Sequence, residues 1–191
     1  MKTITGKCGM CYACVRECPV KAIKVVAGQA QVIPERCVAC GHCIQVCSRK
    51  AKMVQRDVEK VEQFLTSGQT IACLAPSFIA EFYPVLPGQV VAALKILGFA
   101  EVHEVAFGAD MVTQEGRQYL KEAGEKRGFI STPCPAVVNI VTKYYPHLIP
   151  QLVPVVSPMI ALGRYLKKRG GPENSIVFIG PCIAKKAEAQ E

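Results

Sequence analysis

A chain of 191 residues, half of them apolar, with a formal net charge of +8 and eleven cysteines has room for one ordinary domain, or for a small domain joined to part of a larger one. No apolar run approaches the ~20 residues of a membrane span. The opening MKTITGKCGM lacks the apolar stretch of a secretory signal, so the expected compartment is the cytoplasm. There a high and odd cysteine count points to metal binding rather than disulfides. The charge is uneven: residues 1–60 carry 11 Lys and Arg against 4 Asp and Glu. A basic segment raises the question of nucleic acid. Tyr12 is the only aromatic before Phe64, however, so stacking residues are missing, and metal-bound thiolates would themselves be anionic. The basic excess is read as offsetting that charge, and nucleic acid is not the expected partner.

The first sixty residues hold two cysteine runs. Cys8, Cys11, Cys14 and Cys18 are spaced x2, x2, x3, with Pro19 following; Cys37, Cys40, Cys43 and Cys47 repeat the spacing, with Ser48 in place of proline. This is the spacing of bacterial two-cluster ferredoxins, in which the fourth cysteine of each run ligates the other cluster. One 4Fe–4S cluster is therefore expected on Cys8, Cys11, Cys14 and Cys47, and a second on Cys18, Cys37, Cys40 and Cys43. Zinc ribbons pair C-x2-C motifs but do not use two triples each followed by x3-C. No C-x-x-C is followed by His, so haem attachment is not indicated, and His42 reads as a solvated loop residue. Each run leads into a basic, apolar stretch, and AIKVVAGQAQVI reads as two short strands around an Ala-Gly turn. A piece this small has little core, so crossed ligation would staple it.

DVEKVEQFLTSG (57–68) reads as a connecting helix capped by Asp57, striped by Val58, Val61 and Leu65, and ended by Gly68. Beyond it the pattern alternates. Strands are predicted at 70–75, 101–107, 129–132 and 175–180; helices at 87–99, 108–128, 135–145 and 157–171. Such alternation implies a parallel sheet wrapped by helices. The expected class is thus an α+β two-cluster ferredoxin-like domain (1–56), a linker helix (57–69) and an α/β parallel-sheet domain (70–191). Strand-to-helix connections read Ala75-Pro76-Ser77, Pro133-Cys134-Pro135 and Pro181-Cys182. The carboxyl edge of a parallel sheet is where ligands bind, and helix N-termini favour thiolates and anions. Cys134 and Cys182 are therefore expected as soft ligands at one edge, near Ser77. Lys185 and Glu188 follow Cys182 at i+3 steps and share its face, where they also fit an exposed ion pair of little energetic weight. Cys73 reads as a buried small residue. KKRGG and AGEKRG read as solvated helix ends, and LIPQLVPVVSP as irregular core packing. No glycine-rich phosphate loop is present, which leaves nucleotide and flavin binding without support.

The two-cluster segment, LAPSF (74–78), FGAD (107–110), TPCPAVV (132–138), YYP (144–146), SP (157–158) and GPCIAKKAE (180–188) together resemble the iron-only (FeFe) hydrogenases over nearly the whole chain. The resemblance implies that Cys134 and Cys182 each hold the 4Fe–4S part of a hydrogen-activating cluster. It implies that Lys185 binds a cyanide ligand of the attached di-iron unit, and that Ala75, Pro76 and Ser77 line its pocket. Ser77 and Lys185 become the candidate catalytic residues. The family takes two further thiolates from a third motif, so this chain is expected to be a fragment that lacks a complete active site. Pro133 stands where active members usually have a proton-carrying cysteine, and Gly180 where they usually have Met. These departures resemble the divergent branch associated with hydrogen or redox sensing.

The function expected is thus electron transfer by two 4Fe–4S clusters within a divergent hydrogenase-like protein. The alternatives are reversible proton reduction in a full-length parent, or sensing through downstream signalling domains. The implied partners are a redox protein and a downstream signalling or hydrogenase domain.

Overall fold

The computed structural model describes residues 1–124, 128–171 and 173–190. In chain order the elements begin with β1 (Lys2–Thr3), α1 (Ala13–Arg16), β2 (Ile23–Val26), β3 (Gln29–Val32), α2 (His42–Gln45), β4 (Lys52–Met53) and α3 (Val58–Ser67). They continue with β5 (Thr70–Leu74), α4 (Phe78–Glu81), α5 (Pro87–Ile96), β6 (Glu101–Glu104) and α6 (Val105–Ala123). The last are α7 (Pro135–Tyr144), a 3-10 turn (Pro146–Gln151), α8 (Pro158–Gly170), β7 (Ser175–Ile179) and α9 (Ile183–Glu188). They fall into two compact units. One comprises Met1–Arg56, Cys134–Pro150 and Cys182–Glu191; the other comprises Asp57–Pro133 and Gln151–Pro181.

In the first unit two antiparallel strand pairs flank the cysteine loops. β1 pairs with β4, setting Thr3 opposite Lys52, and β2 pairs with β3 as a hairpin. The hairpin turns at Ala27 and Gly28, with φ of 47° and 74°. Left-handed residues at both central positions match the twist of the flanking strands. The repeat legible in the cysteines is a repeat of backbone conformation too. Positive φ recurs at Met10 and Ala39, at Tyr12 and Gly41, and at Lys21 and Lys50. Each pair is separated by 29 residues, as are Cys8 and Cys37. The centre of this unit is buried Cys14, Cys18, Ala22, Ile23, Ala30 and Cys43.

The second unit holds a three-stranded parallel sheet in the order β6-β5-β7 among the described residues. β5 is buried at every position, as a central strand covered on both faces must be. Alternation divides its side chains. Ile71 and Cys73 join Val105 of α6 and Met159, Leu162 and Leu166 of α8; Leu74 meets Phe78 and Val90 of α4 and α5. Each fully buried leucine contributes about 1.5–3 kcal/mol. The parallel sheet and its flanking helices agree with the expected α/β class.

Several boundaries differ from the sequence reading. The strand expected over 101–107 ends at Glu104, and α6 begins at Val105. Val105 and Phe107 look like strand residues, yet in the helix Val105 is buried and Phe107 packs against Tyr165 with ring centroids 5.5 Å apart. Burial of Val105 and the ring contact of the otherwise exposed Phe107 with α8 outweigh their strand propensity. The helix expected to reach 128 is seen to Ala123, and residues 125–127, with part of AGEKRG, lie outside the described residues. FIST forms only an isolated bridge, Ile130 to Leu152. It is held further by Thr132 Oγ1, which donates to the carbonyls of Val153 and Val155 at 2.9 and 2.7 Å. In α3, Asp57 occupies the N-cap position without a side-chain cap bond, and Val58 is exposed rather than part of the buried stripe. The half-buried face runs through Val61, Phe64 and Leu65.

The glycine of FGAD has a packing reason. A Cβ on Gly108 would lie 2.2 Å from the Pro158 carbonyl oxygen and 3.1 Å from Leu162 Cβ. No flexible side chain stands there to yield, so Gly108→Ala must push α6 from α8. The expected loss is about 1–3 kcal/mol or more, as for overpacking elsewhere, read as a lower denaturant midpoint with an unchanged slope.

Candidate metal centres

The two cysteine runs fold into two matching cavities. One is lined by Cys8, Cys11, Cys14 and Cys47. The other is lined by Cys18, Cys37, Cys40 and Cys43. Each takes three thiols from one run and the fourth from the other. The local backbone explains this. Left-handed residues around the middle cysteine of each triple, Met10 and Tyr12 or Ala39 and Gly41, bend the loop, and its three cysteines line one wall. The short helix α1 or α2 then carries the fourth cysteine out of its own loop. Backbone N–H groups face the sulfurs in the same repeated pattern. Ala22 N donates to Cys18 Sγ and Ala51 N to Cys47 Sγ, both at 3.2 Å, and Ala39 N donates to Cys37 Sγ at 3.4 Å.

The thiols differ electrostatically. Hydrogen bonds from the Ala30 and Met10 backbone hold Cys8 below the usual thiol range. Burial raises Cys14, against the opposing charge of Lys52, with Cys47, Cys8 and Cys11 adding like-charge repulsion. Burial pushes Cys43 up to about 11, again opposed by Lys52 and reinforced by Cys37, Cys14 and Cys40. Four thiolates in one small cavity repel one another unless a cation neutralises them. An all-thiol set of four fits a 4Fe–4S cluster by the chemistry of its donors, the soft-ligand centre that such sets select.

The remaining candidate cysteines sit at helix starts. Cys134 is the N-cap of α7 and Cys182 the N-cap of α9, and both are exposed. Both belong to the first unit, and α7 and α9 adjoin one another there. These helices are fastened to the cysteine-rich segment. Lys143 Nζ donates to the Cys37 and Pro34 carbonyls at 2.7 and 3.2 Å. Tyr144 Oη donates to those of Arg36 and Val20 at 2.7 and 3.2 Å, and Lys186 Nζ to Gln55 at 2.6 Å. Ile183, next to Cys182, lies directly on Gly41, where a Cβ would fall 2.5 Å from Ile183 Cδ1. Lys185 Nζ meets Glu188 Oε2 at 3.0 Å, and the side chains are only 13% and 17% exposed. This corrects the reading of that pair as exposed: partial desolvation gives it more weight than a surface bridge.

Ala75, Pro76 and Ser77 belong to the second unit, at the carboxyl end of β5. Ala75 is buried and its N–H donates to the Ile179 carbonyl at 2.9 Å, while Pro76 and Ser77 are exposed. Ser77 is the N-cap of α4. Cys73 sits in the core, its thiol pushed up to about 12 by burial, as expected of a packing cysteine. His103 lies 2.6 Å from Glu101 Oε2, and Arg169 also pairs with that carboxylate. Lys52 and Arg49, which line the first cavity, were not singled out by motif reading. Their signal was the repeat itself: the equivalent residues 29 positions earlier are Ile23 and Val20.

Comparison with known proteins agrees with this geometry. Residues 68–191 match the family described as iron only hydrogenase large subunit, C-terminal domain, and residues 1–48 match the 4Fe-4S dicluster domain. The chain belongs to the iron-only hydrogenase large-subunit family, with a 4Fe–4S dicluster segment at its start. It is 32% identical to the periplasmic [Fe] hydrogenase large subunit of Nitratidesulfovibrio vulgaris over 96% of this chain and 49% of that protein. It is 26% identical to the NADP-reducing hydrogenase subunit HndD of Solidesulfovibrio fructosivorans over 95% of this chain and 38% of that one. It therefore spans half or less of the length of these relatives. A solved [FeFe]-hydrogenase, studied for oxygen inactivation at its H cluster 2Fe subcluster, aligns with a TM-score of 0.59 and 26% identity. The alignment covers 72% of this chain and 41% of that one. Among the described residues no helix is long and apolar enough to cross a membrane.

Gly180 has little room for a side chain. A Cβ there would stand 2.7 Å from Ala75 Cβ and 2.8 Å from the Phe178 ring. Gly180→Met is expected to destabilise the second unit by about 1–3 kcal/mol. Gly180→Met with Phe178→Ala should recover part of that loss, measured by chemical denaturation.

Proposed function

We propose that the chain is an electron-transfer module with two 4Fe–4S clusters, one on Cys8, Cys11, Cys14 and Cys47 and the other on Cys18, Cys37, Cys40 and Cys43. They relay single electrons between a redox partner protein and the hydrogenase-like part of the fold. The observation that carries this reading is the pair of four-thiol cavities, each completed by a cysteine from the opposite run. When bound, such clusters supply one-electron chemistry at potentials set by cluster charge, hydrogen bonds to sulfur and solvent exposure.

The chain's own residues supply the rest. The Ala22, Ala39 and Ala51 amides donate hydrogen bonds to the Cys18, Cys37 and Cys47 sulfurs. Burial of Cys14, Cys18 and Cys43 keeps water from those ligand atoms. Cys11 and Cys40 are exposed and mark faces a partner can approach. The Cys37 loop touches α7 through Lys143 and α9 through Ile183 on Gly41. That supports a route in which the second cluster is the one nearer Cys134 and Cys182. The cytoplasm remains the proposed compartment, with all eleven cysteines free.

Cys134 and Cys182 are two thiolates of the four that a hydrogen-activating cluster takes in this family, and buried Cys73 is no substitute. The residues of this chain do not complete that site, so hydrogen activation is no part of the mechanism drawn from them. Ala75, Pro76, Ser77 and Lys185 remain proposed pocket residues of a longer parent. Pro133, which has no proton to pass, favours a second reading in which that parent senses hydrogen or redox state.

Anaerobic reconstitution tests the module. The chain is expected to bind about eight irons as two cubane clusters. Cys18→Ser should remove the same paramagnetic signal as Cys37→Ser, and Cys47→Ser the same signal as Cys8→Ser. Pairing of Cys18→Ser with Cys8→Ser instead would overturn the crossed assignment. For the sensing reading, hydrogen evolution by the matured full-length parent should be slow. Pro133→Cys should raise it by about 10²-fold, the scale of a restored proton-transfer group; a fast unmodified parent would exclude sensing.

A further inference from the structure

The constant 29-residue offset lets the walls of the two cavities be compared position by position. The four cysteines and the pair Ala22 and Ala51 match, and among the positions that differ two exchange an apolar side chain for a cation. Where the cavity of Cys18, Cys37, Cys40 and Cys43 has Val20 and Ile23 in its wall, the cavity of Cys8, Cys11, Cys14 and Cys47 has Arg49 and Lys52. Lys52 is buried at 4% exposure, as deeply as its counterpart Ile23 at 7%. Its Nζ donates to Thr3 Oγ1 at 2.7 Å and to the Ala30 carbonyl at 2.5 Å, which fixes the charge in place. Arg49 lies across the Cys8 loop: a Cβ on Gly9 would fall 3.0 Å from Arg49 Nε. A buried lysine is a costly residue to hold in a core this small, and the apolar counterpart shows that the backbone does not require it.

We propose that Arg49 and Lys52 make the two clusters redox-inequivalent, so that the one on Cys8, Cys11, Cys14 and Cys47 has the higher potential and accepts the first electron. The inference rests on the two-cluster reading above. Reduction adds one negative charge to a centre already ligated by four thiolates, and the electron comes from the redox partner. Fixed cations in the wall stabilise the reduced form. At an effective dielectric of about 20, a unit charge about 10 Å away changes such an equilibrium by roughly tenfold. Val20 and Ile23 offer only a low-dielectric wall, which disfavours added charge. The other cavity has His42 in its wall, at the position of Ala13. Lys52 also acts on Cys43 across the core, so it moves both centres. Arg49 lines the first cavity and not the second, and it sharpens the difference.

The test is a potentiometric titration of the anaerobically reconstituted chain followed by paramagnetic resonance. The wild type should reduce in two separate waves. The Cys18→Ser variant, keeping only the first cluster, identifies the wave at higher potential. Lys52→Met and Arg49→Val should each lower the reduction constant of that wave about tenfold, which for a one-electron couple is about 59 mV, and together should merge the waves. Lys52→Gln, neutral but able to donate to Ala30, serves if the Met variant does not load, and Lys52→Arg should hold the wild-type value. The proposal is overturned by neutral variants within twofold of wild type. It is overturned equally if Lys52→Arg shifts as far as Lys52→Met, or if neither neutral Lys52 variant assembles both clusters. Iron content separates the levels: a wild type that fails to bind two clusters sinks the two-cluster reading itself, whereas full loading with unmoved waves sinks only the role of these cations.

Discussion

Mutual dependence of sulfur and fold is the constraint from which the rest of the first unit follows. Three of the six residues at its buried centre are cysteines, Cys14, Cys18 and Cys43, and the others are Ala22, Ile23 and Ala30. Even with the half-buried Val15, Val20, Val32, Ile44 and Val46 around it, so small a core is weak against the conformational entropy of ordering some fifty residues, about 1–2 kcal/mol for each backbone unit. The thiols therefore have to contribute more than packing. In the metal-free chain, burial keeps Cys14 and Cys43 protonated at neutral pH. Binding must strip those protons, and the energy of ligation then becomes energy of folding. Each cavity is lined by three cysteines of one run and one of the other, so the proposed clusters would tie the two halves of the repeat together.

That arrangement was legible because it is periodic. Spacing alone singled out eight cysteines and the crossed sets expected of them, and the two cavities are lined by those same groups of residues. Alternation likewise announced the parallel sheet, with β5 at its centre. What escaped was non-periodic or decided by tertiary contact. The start of α6 was missed because Val105 and Phe107 are strand-prone residues whose helical state depends on α8, distant in sequence. The Lys185–Glu188 pair was taken for a surface bridge because i+3 spacing says nothing about burial. Lys52 was overlooked among many basic residues, and only its register with Ile23 marks it as unusual.

The second unit illustrates how steric and chemical departures from a family can be linked. Gly180 and Ala75 stand at neighbouring strand ends, β7 and β5, and Phe178 occupies the space a side chain at 180 would need. Gly180 therefore goes with the packing of Ala75 and Phe178 at this edge. Pro133 bears on chemistry: it offers neither an ionisable side chain nor an N–H.

The anchoring of α7 and α9 has a consequence for the order in which the molecule can be completed. Residues 1–56 leave the ribosome first, yet the carbonyls of Val20, Pro34, Arg36 and Cys37 await donors on Lys143 and Tyr144, and Gly41 awaits Ile183. The intervening second unit must be spelled out before these partners exist. A nascent dicluster segment consequently waits for more than a hundred further residues with its Cys37 loop uncovered, and iron loaded during that interval would meet a loop that α7 and α9 have not yet reached.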